Sequence, residues 1–251
     1  MTDPTLAADD GRMTLVEHLT ELRRRLMISV AAIGFCSIVV FVFSSDIVHF
    51  LEGPYDKVIG RIDTCAGNAC DLSVIDPLAP FMVKIKIATY GGIVLALPIV
   101  MFQLWRFVTP GLHSHEKRYA IPFLLSAVVL FLAGGVIAWF TLEKALGFLL
   151  VDVGGGLQPN IVADKYLNLV MFMFLAFGAA FEFPVLLVFM LLVGAITTGQ
   201  LRRARRHAAV GIVIVAAVIT PSQDPYSLFF MAGPMYLFYE MSILIGRVMK
   251  R

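Results

Sequence analysis

Charge is what this chain has least of. Of its 251 residues only 15% are Asp, Glu, Lys or Arg, while 59% are hydrophobic. Soluble domains carry about a quarter charged residues and roughly half apolar ones, so composition alone excludes a soluble domain. A phosphate-binding glycine loop, a nucleophile elbow and an HExxH pair are all lacking, so nothing in the sequence supports an enzyme or a nucleotide cofactor. Internal repeats are lacking too, which argues against inverted-repeat transporter architectures. The first residues, Met1 to Gly11, are polar and acidic, with Asp3, Asp9 and Asp10. A cleavable leader would need a positive segment there, so the first apolar stretch is expected to stay as a helix.

Long apolar runs are what the chain has in abundance. Six stand out, approximately Leu26 to Ser45, Ile85 to Val108, Ile121 to Leu142, Tyr166 to Ile196, Ala208 to Thr220 and Tyr226 to Ile245. The first four hold about 20 or more residues, enough to cross a hydrocarbon core of about 30 Å. Backbone groups in lipid have no other partners, so these segments are expected to be helical. The fifth has 13 residues, roughly 20 Å of helix. The sixth runs without a charge only from Tyr226 to Tyr239, before Glu240, and contains Pro234. A short fifth and sixth helix would thin the bilayer locally or sit partway in it, unless the sixth tilts and Glu240 snorkels. The fold class is therefore an all-α polytopic membrane protein with six transmembrane helices. Residues 1–13 read as a flexible cytoplasmic tail and residues 14–251 as a single six-helix domain.

Basic residues set the orientation. Arg12, Arg23–Arg25, Arg106, Lys117, Arg118, Arg202, Arg203, Arg205, Arg206, Arg247, Lys250 and Arg251 fall on one side, 14 of the 20 in the chain. Both termini are accordingly expected in the cytoplasm. The segments Asp46 to Lys84 and Glu143 to Lys165 then form long outer loops that together could cap the helices. The first holds Pro54, Pro77 and Pro80, and its Ile47, Val48, Phe50 and Leu51 suit an interfacial amphipathic turn. The second carries Gly154, Gly155 and Gly156. Three cysteines are present. Cys36 reads as a small core residue of the first span. Cys65 and Cys70 are candidates for a disulfide if their loop faces an oxidising compartment, although spacing alone does not establish the geometry.

Against so few charges, certain carboxylates stand out. Glu116 lies in His113-Ser114-His115-Glu116-Lys117-Arg118, a polar link between two apolar helices. Glu21 lies in His18-Leu19-Thr20-Glu21-Leu22-Arg23-Arg24-Arg25-Leu26, just before the first span. Charge places both at the cytoplasmic rim, where carboxylates can grip a cationic segment through the planar two-bond fork of arginine. Thr14 and Glu17 suit a capping box that starts this helix, and Leu15, Leu19, Leu22 and Leu26 form one apolar stripe. An ion pair between Glu21 and Arg25, four residues apart, is the structural alternative for Glu21. Glu182 sits inside the fourth apolar stretch, in Phe181-Glu182-Phe183-Pro184. An ionisable group there is a functional candidate by default, with a protonated helix contact beside a Pro184 kink as the alternative. Gly178, Ala179 and Ala180 permit close helix approach nearby. His113, His115 and Glu116 make a poor metal set, because nothing clearly completes four ligands. The run Arg202-Arg203-Ala204-Arg205-Arg206-His207 reads as a topology anchor against anionic lipid. Thr220, Ser222, Gln223 and Asp224 form a polar cluster at a turn, either structural or a docking point for a partner helix.

At these residues the chain resembles the TatC family, the large multispanning subunit of the twin-arginine protein translocase. The motifs are the Glu21 and Glu116 segments, Phe102-Gln103-Leu104-Trp105-Arg106-Phe107-Val108-Thr109-Pro110-Gly111-Leu112, Phe177-Gly178, Phe181-Glu182-Phe183-Pro184, Thr220-Pro221 and Pro234-Met235-Tyr236. The resemblance implies a receptor for twin-arginine signal peptides on already folded substrates, in a bacterial cytoplasmic membrane, driven by the proton gradient. It implies that Glu21 and Glu116 pair with the two arginines, that Arg23 and Lys117 shape the site, and that Phe107 and Leu112 line it. Glu182 would face a concave groove under an extracytoplasmic cap. Single-span TatA and TatB subunits would dock near Thr220, in a larger complex with several copies of this chain. Pro54 and Asp224 match extracytoplasmic positions, whereas Leu228 stands where relatives can carry a polar Gln. The competing class is a proton-coupled small-molecule transporter with Glu182 as proton relay. No cofactor, metal or nucleic acid is expected.

Overall fold

A computed structural model describes residues 15–62, 65, 70–108, 120–154, 160–222 and 224–248. They form α1 (Leu15–Val42), α2 (Ser44–Ile59), α3 (Ala79–Val108), α4 (Ala120–Gly147), α5 (Ala163–Phe181), α6 (Phe183–Leu192), α7 (Thr198–Ile219) and α8 (Pro225–Val248). A five-residue π-helix, Phe148–Asp152, extends α4. Among the described residues, the only sheet-like pairing is a single parallel bridge, Ser73 to Val162. Among the described residues, five segments are long and apolar enough to cross a membrane: Val16–Val42, Ala79–Phe107, Ile121–Asp152, Ala163–Leu192 and Pro225–Val248.

Small residues let these helices meet where lipid supplies no hydrophobic drive. α1 packs along α3, and a Cβ built on Gly92 would lie 2.1 Å from Ser37 Oγ. α4 and α5 meet backbone to backbone: a Cβ on Gly134 would stand 2.6 Å from the Phe177 carbonyl oxygen. Large side chains fill the space between such contacts, with Phe177, Val170, Met173, Met231 and Ile243 wholly buried.

The fourth apolar stretch is not one helix. It breaks at Glu182, between α5 and α6. Pro184 lies in the first turn of α6, has no N–H to donate, and its ring crowds the preceding turn. α6 ends in a Schellman turn, with Gly194 at φ 74°, Ala195 N donating to Met190 O (2.9 Å) and Gly194 N to Leu191 O (3.2 Å).

The expected fifth and sixth helices are longer than their apolar stretches. α7 has 22 residues and α8 has 24, roughly 33 and 36 Å at the α-helical rise. In α7 the basic run is itself helical, started by a capping box in which Gln200 N donates to Thr197 Oγ1 (3.3 Å) and Thr197 N to Gln200 Oε1 (2.8 Å). Only its apolar part is short. α8 continues through Glu240 because Arg205 Nη2 reaches Glu240 Oε2 at 2.6 Å.

The outer segments also contain more helix than expected. Leu51, Tyr55 and Val58 recur at helical spacing and are buried, which turns part of the Asp46–Lys84 segment into α2. Pro54 lies buried inside that helix and leaves the Phe50 carbonyl without its helical donor. At the neighbouring position Tyr166 OH donates to Leu51 O at 2.8 Å. The two outer segments join through Ser73 N to Ile161 O (3.0 Å) and Ala163 N to Ser73 O (2.9 Å). Glu143 of α4 pairs with Arg61 at 2.7 Å and lies 3.9 Å from Lys57. Tyr55 OH donates to Cys70 O at 2.7 Å. Burial, then the carboxylates of Asp71 and Asp56, push the Tyr55 phenol above its ordinary pKa, which keeps it a proton donor.

Candidate functional site

A cleft of mixed charge, lined by two carboxylates and three guanidinium groups, is built by the first turns of α1 and the last turns of α3. On α1, Glu17, Thr20, Glu21, Arg24, Arg25 and Ile28 recur three or four residues apart and share one face. Together with Gln103 and Arg106 of α3 they line a cleft of about 460 Å³. Stacking of His18 on Phe107, with ring centroids 4.4 Å apart, ties the two helices at this end. Trp105, buried on α3, anchors the same turn against Phe123 and Phe189.

Within the cleft, Arg25 Nη2 pairs with Glu21 Oε1. The other carboxylate oxygen, Oε2, is buried and has no hydrogen-bond partner among the described residues. The intrahelical ion pair and an unpaired, buried acceptor therefore coexist in one side chain, because a carboxylate has two oxygens and about four lone-pair directions. Such an oxygen can take a charge-assisted bond from a cationic ligand. Arg23 lies on the same helix, exposed, and is not part of the cleft lining. Glu116, Lys117, Leu112, His113 and His115 lie outside the described residues, as do Thr14, Gly155, Gly156 and Gln223. Gln103, Arg24 and Arg106 line the cleft without having been singled out as site residues. Their helical spacing relative to Glu21 and Phe107 was the available signal.

Glu182 belongs to a different place. It lines an apolar cavity of about 370 Å³ with Met101, Leu104, Ala179, Val215 and Met235. Its Oε1 is buried without a hydrogen-bond partner among the described residues. The two cavities share no lining residue. Pro184 is buried just beyond the helix break.

Thr220 and Asp224 are 1% and 2% exposed, which places both inside the α7–α8 turn. Thr220 Oγ1 donates to Ala216 O at 2.6 Å. Asp224 accepts from Ser227 N at 2.8 Å and from Ser222 Oγ at 2.5 Å, so it acts as the N-cap of α8. Leu228, half-buried, packs on the core one turn later. Cys65 and Cys70 are joined by a disulfide, and Cys36 is a buried free thiol. No cluster of three or more metal-ligating side chains occurs among the described residues.

An all-helical fold with several membrane-length helices, whose carboxylates sit in a cleft and a cavity, defines a multi-pass membrane protein. The family model described as TatC, Sec-independent protein translocase protein (TatC), matches residues 17–234. The chain belongs to the TatC family. Among curated relatives, a Sec-independent protein translocase protein TatC from Aquifex aeolicus is 36% identical, covering 95% of this chain and 97% of its own length. One from Frankia casuarinae is 38% identical, over 96% of this chain and 68% of the relative. One from Escherichia coli K12 is 32% identical, over 93% and 88%. A crystal structure described as the twin arginine translocase receptor TatC superposes with a TM-score of 0.75 at 36% identity. It covers 94% of this chain and all of that one. As a member of this family the chain is a protein-transport component of the translocase, a role in transport rather than catalysis.

Proposed function

We propose that this chain is the signal-peptide receptor of a twin-arginine translocase in a bacterial cytoplasmic membrane. The observation that carries the reading is Glu21 Oε2, a buried acceptor in an open cleft. One arginine of a signal peptide forks onto Glu21 and the other pairs with Glu116 across the α3–α4 link. Arg23 and Lys117 shape the approach, Phe107 and Leu112 line it, and Glu182 faces the groove that takes the rest of the peptide. Lysine lacks the planar fork, so a twin-lysine peptide binds less well. The chain crosses the membrane six times with both termini inside; the basic ends of α1, α3, α7 and α8 support this orientation. α7 then crosses with its arginines at the inner interface, and α2 with the two joined loops forms the outer cap.

TatA- and TatB-type single-span subunits dock on the exposed apolar faces of α7 and α8, including Val213, Val218 and Phe229. The buried Thr220–Asp224 turn holds those faces in place. Several copies of the chain work in one complex, and the proton gradient drives transport. Binding of a twin-arginine peptide to the purified protein in nanodiscs tests the site. Wild type should bind, whereas the twin-lysine peptide and the Glu21→Ala and Glu116→Ala variants should bind more weakly with unchanged helicity. Equal binding throughout would make both carboxylates structural.

A further inference from the structure

The cysteine pair lies at a junction of the outer cap. α2 unrolls directly into Cys65 through a series of turns, Arg61 N to Val58 O (3.1 Å), Ile62 N to Ile59 O (2.9 Å) and Cys65 N to Ile62 O (2.9 Å). Cys70 then returns to α2, where its carbonyl takes the Tyr55 hydroxyl at 2.7 Å. Three residues on, Ser73 pairs with Ile161 and Ala163 at the start of α5. Tyr166 of α5 closes the circuit: its ring lies 5.2 Å from that of Tyr55 and its hydroxyl bonds Leu51 O. The disulfide, Tyr55, Ser73 and Tyr166 thus join α2 to α5 in one closed path. Tyr55, Tyr166 and Cys70 are each 2% exposed and Cys65 6%.

We propose that the cap of this chain is locked oxidatively: the Cys65/Cys70 dithiol is the substrate of a thiol–disulfide exchange step after membrane insertion, and the bond holds the α2–α5 clamp shut. The inference rests on the outward orientation of the cap proposed above. The oxidant is a protein of the oxidised dithiol class. One cysteine thiolate attacks the carrier disulfide, forming a mixed disulfide and releasing a carrier thiol. The second cysteine attacks its partner's sulfur in that mixed disulfide, closing the bond and releasing the other carrier thiol. Two electrons and two protons pass to the carrier. The step precedes packing of Tyr55 on Tyr166, since both cysteines are buried afterwards. Such a bond persists only in an oxidising compartment. Only four residues separate the cysteines, so closing the loop restrains little of the unfolded chain. Its effect is local, fixing the Cys70 carbonyl where the buried Tyr55 hydroxyl needs an acceptor.

The test uses the full chain with Cys36→Ala as the only background change, in membranes from cells with and without their thiol-oxidising pathway. Maleimide–polymer labelling reads the free thiols, limited proteolysis reads the cap, and peptide binding at the α1–α3 cleft is measured in parallel. Thiols should be absent when the pathway is intact and two per chain when it is disabled. The reduced chain and the Cys65→Ala/Cys70→Ala variant should both be cut in the cap about tenfold faster, as expected for a locally opened segment, with peptide binding unchanged. Two free thiols in membranes with the pathway intact overturn the proposal. Equal cap cleavage in bonded and bond-free chains overturns it too. Loss of peptide binding in every form, with labelling and cleavage as expected, counts against the receptor reading alone. A Val74→Cys probe in the bond-free variant that labels only from the cytoplasm removes the orientation on which the inference stands.

Discussion

Replacing Glu21 by Gln and, separately, Arg25 by Gln perturbs one ion pair from its two ends, with opposite consequences for a cationic ligand. Glu21→Gln keeps the shape and the lone pairs of one oxygen but removes the charge. Its side chain is 22% exposed, so the bond to an incoming guanidinium is largely desolvated. A charge-assisted hydrogen bond contributes about 1.5–3 kcal/mol, about one more than a neutral bond. At about 1.4 kcal/mol per decade, Glu21→Gln should weaken twin-arginine peptide binding roughly fivefold and Glu21→Ala up to about a hundredfold. Arg25→Gln frees Oε1 and removes a competing cation. An i,i+4 pair is worth about 0.3–0.5 kcal/mol, so binding should tighten about twofold, provided α1 keeps its helicity. Titration of a fluorescent peptide into nanodisc-embedded protein at fixed low salt reads all three, with circular dichroism as the folding control. Wild-type affinity in Glu21→Gln, or weakening in Arg25→Gln equal to that in Glu21→Ala, would refute the assignment of Oε2 as the ligand acceptor.

Two further outcomes follow from the packing. Gly134→Ala forces a Cβ against the Phe177 carbonyl, which has no side-chain freedom to yield, and should cost about 1–3 kcal/mol. Gly211→Ala, with nothing within 4 Å, should leave the thermal midpoint in detergent unchanged or slightly raised; equal losses for the two would refute the α4–α5 close approach. Asp224→Ala removes the N-cap of α8 and should cost about 1 kcal/mol. Hydrogen exchange should then rise first at Ser227 and its neighbours, and a uniform rise across α8 would argue against a local capping role.

Particular elements show how far periodicity and charge reach. The apolar runs that became α1, α3 and α4 were readable because lipid leaves helix as the only way to satisfy the backbone. α2 is hard to read as a helix because its helical stripe, Leu51, Tyr55 and Val58, is interrupted by Pro54 and by charges that face outward. The break at Glu182 was foreshadowed by Pro184, but its place one residue after α5 depended on how that turn packs. The length of α7 is not legible from apolar periodicity because an arginine run reads as interface, while the capping box at Thr197 and the Arg205–Glu240 pair carry helix through it. Of the candidate site, Glu21 and Arg25 stand out from their local spacing, and Phe107 from the family resemblance. Gln103, Arg24 and Arg106 emerged only once α1 and α3 lay side by side.

By itself, then, the sequence determined the class, the apolar runs that form α1, α3 and α4, the family and the identity of the unusual carboxylates. Those follow from composition, period and short motifs, which are local or additive along the chain. The tertiary structure decided which oxygen of Glu21 is engaged, that Thr220 and Asp224 are buried in a turn, and that Cys65 and Cys70 close a path from α2 to α5. These depend on which distant residues come within a few ångströms of one another, such as Leu51 and Tyr166. Packing sets such distances, and no periodicity along the chain encodes them.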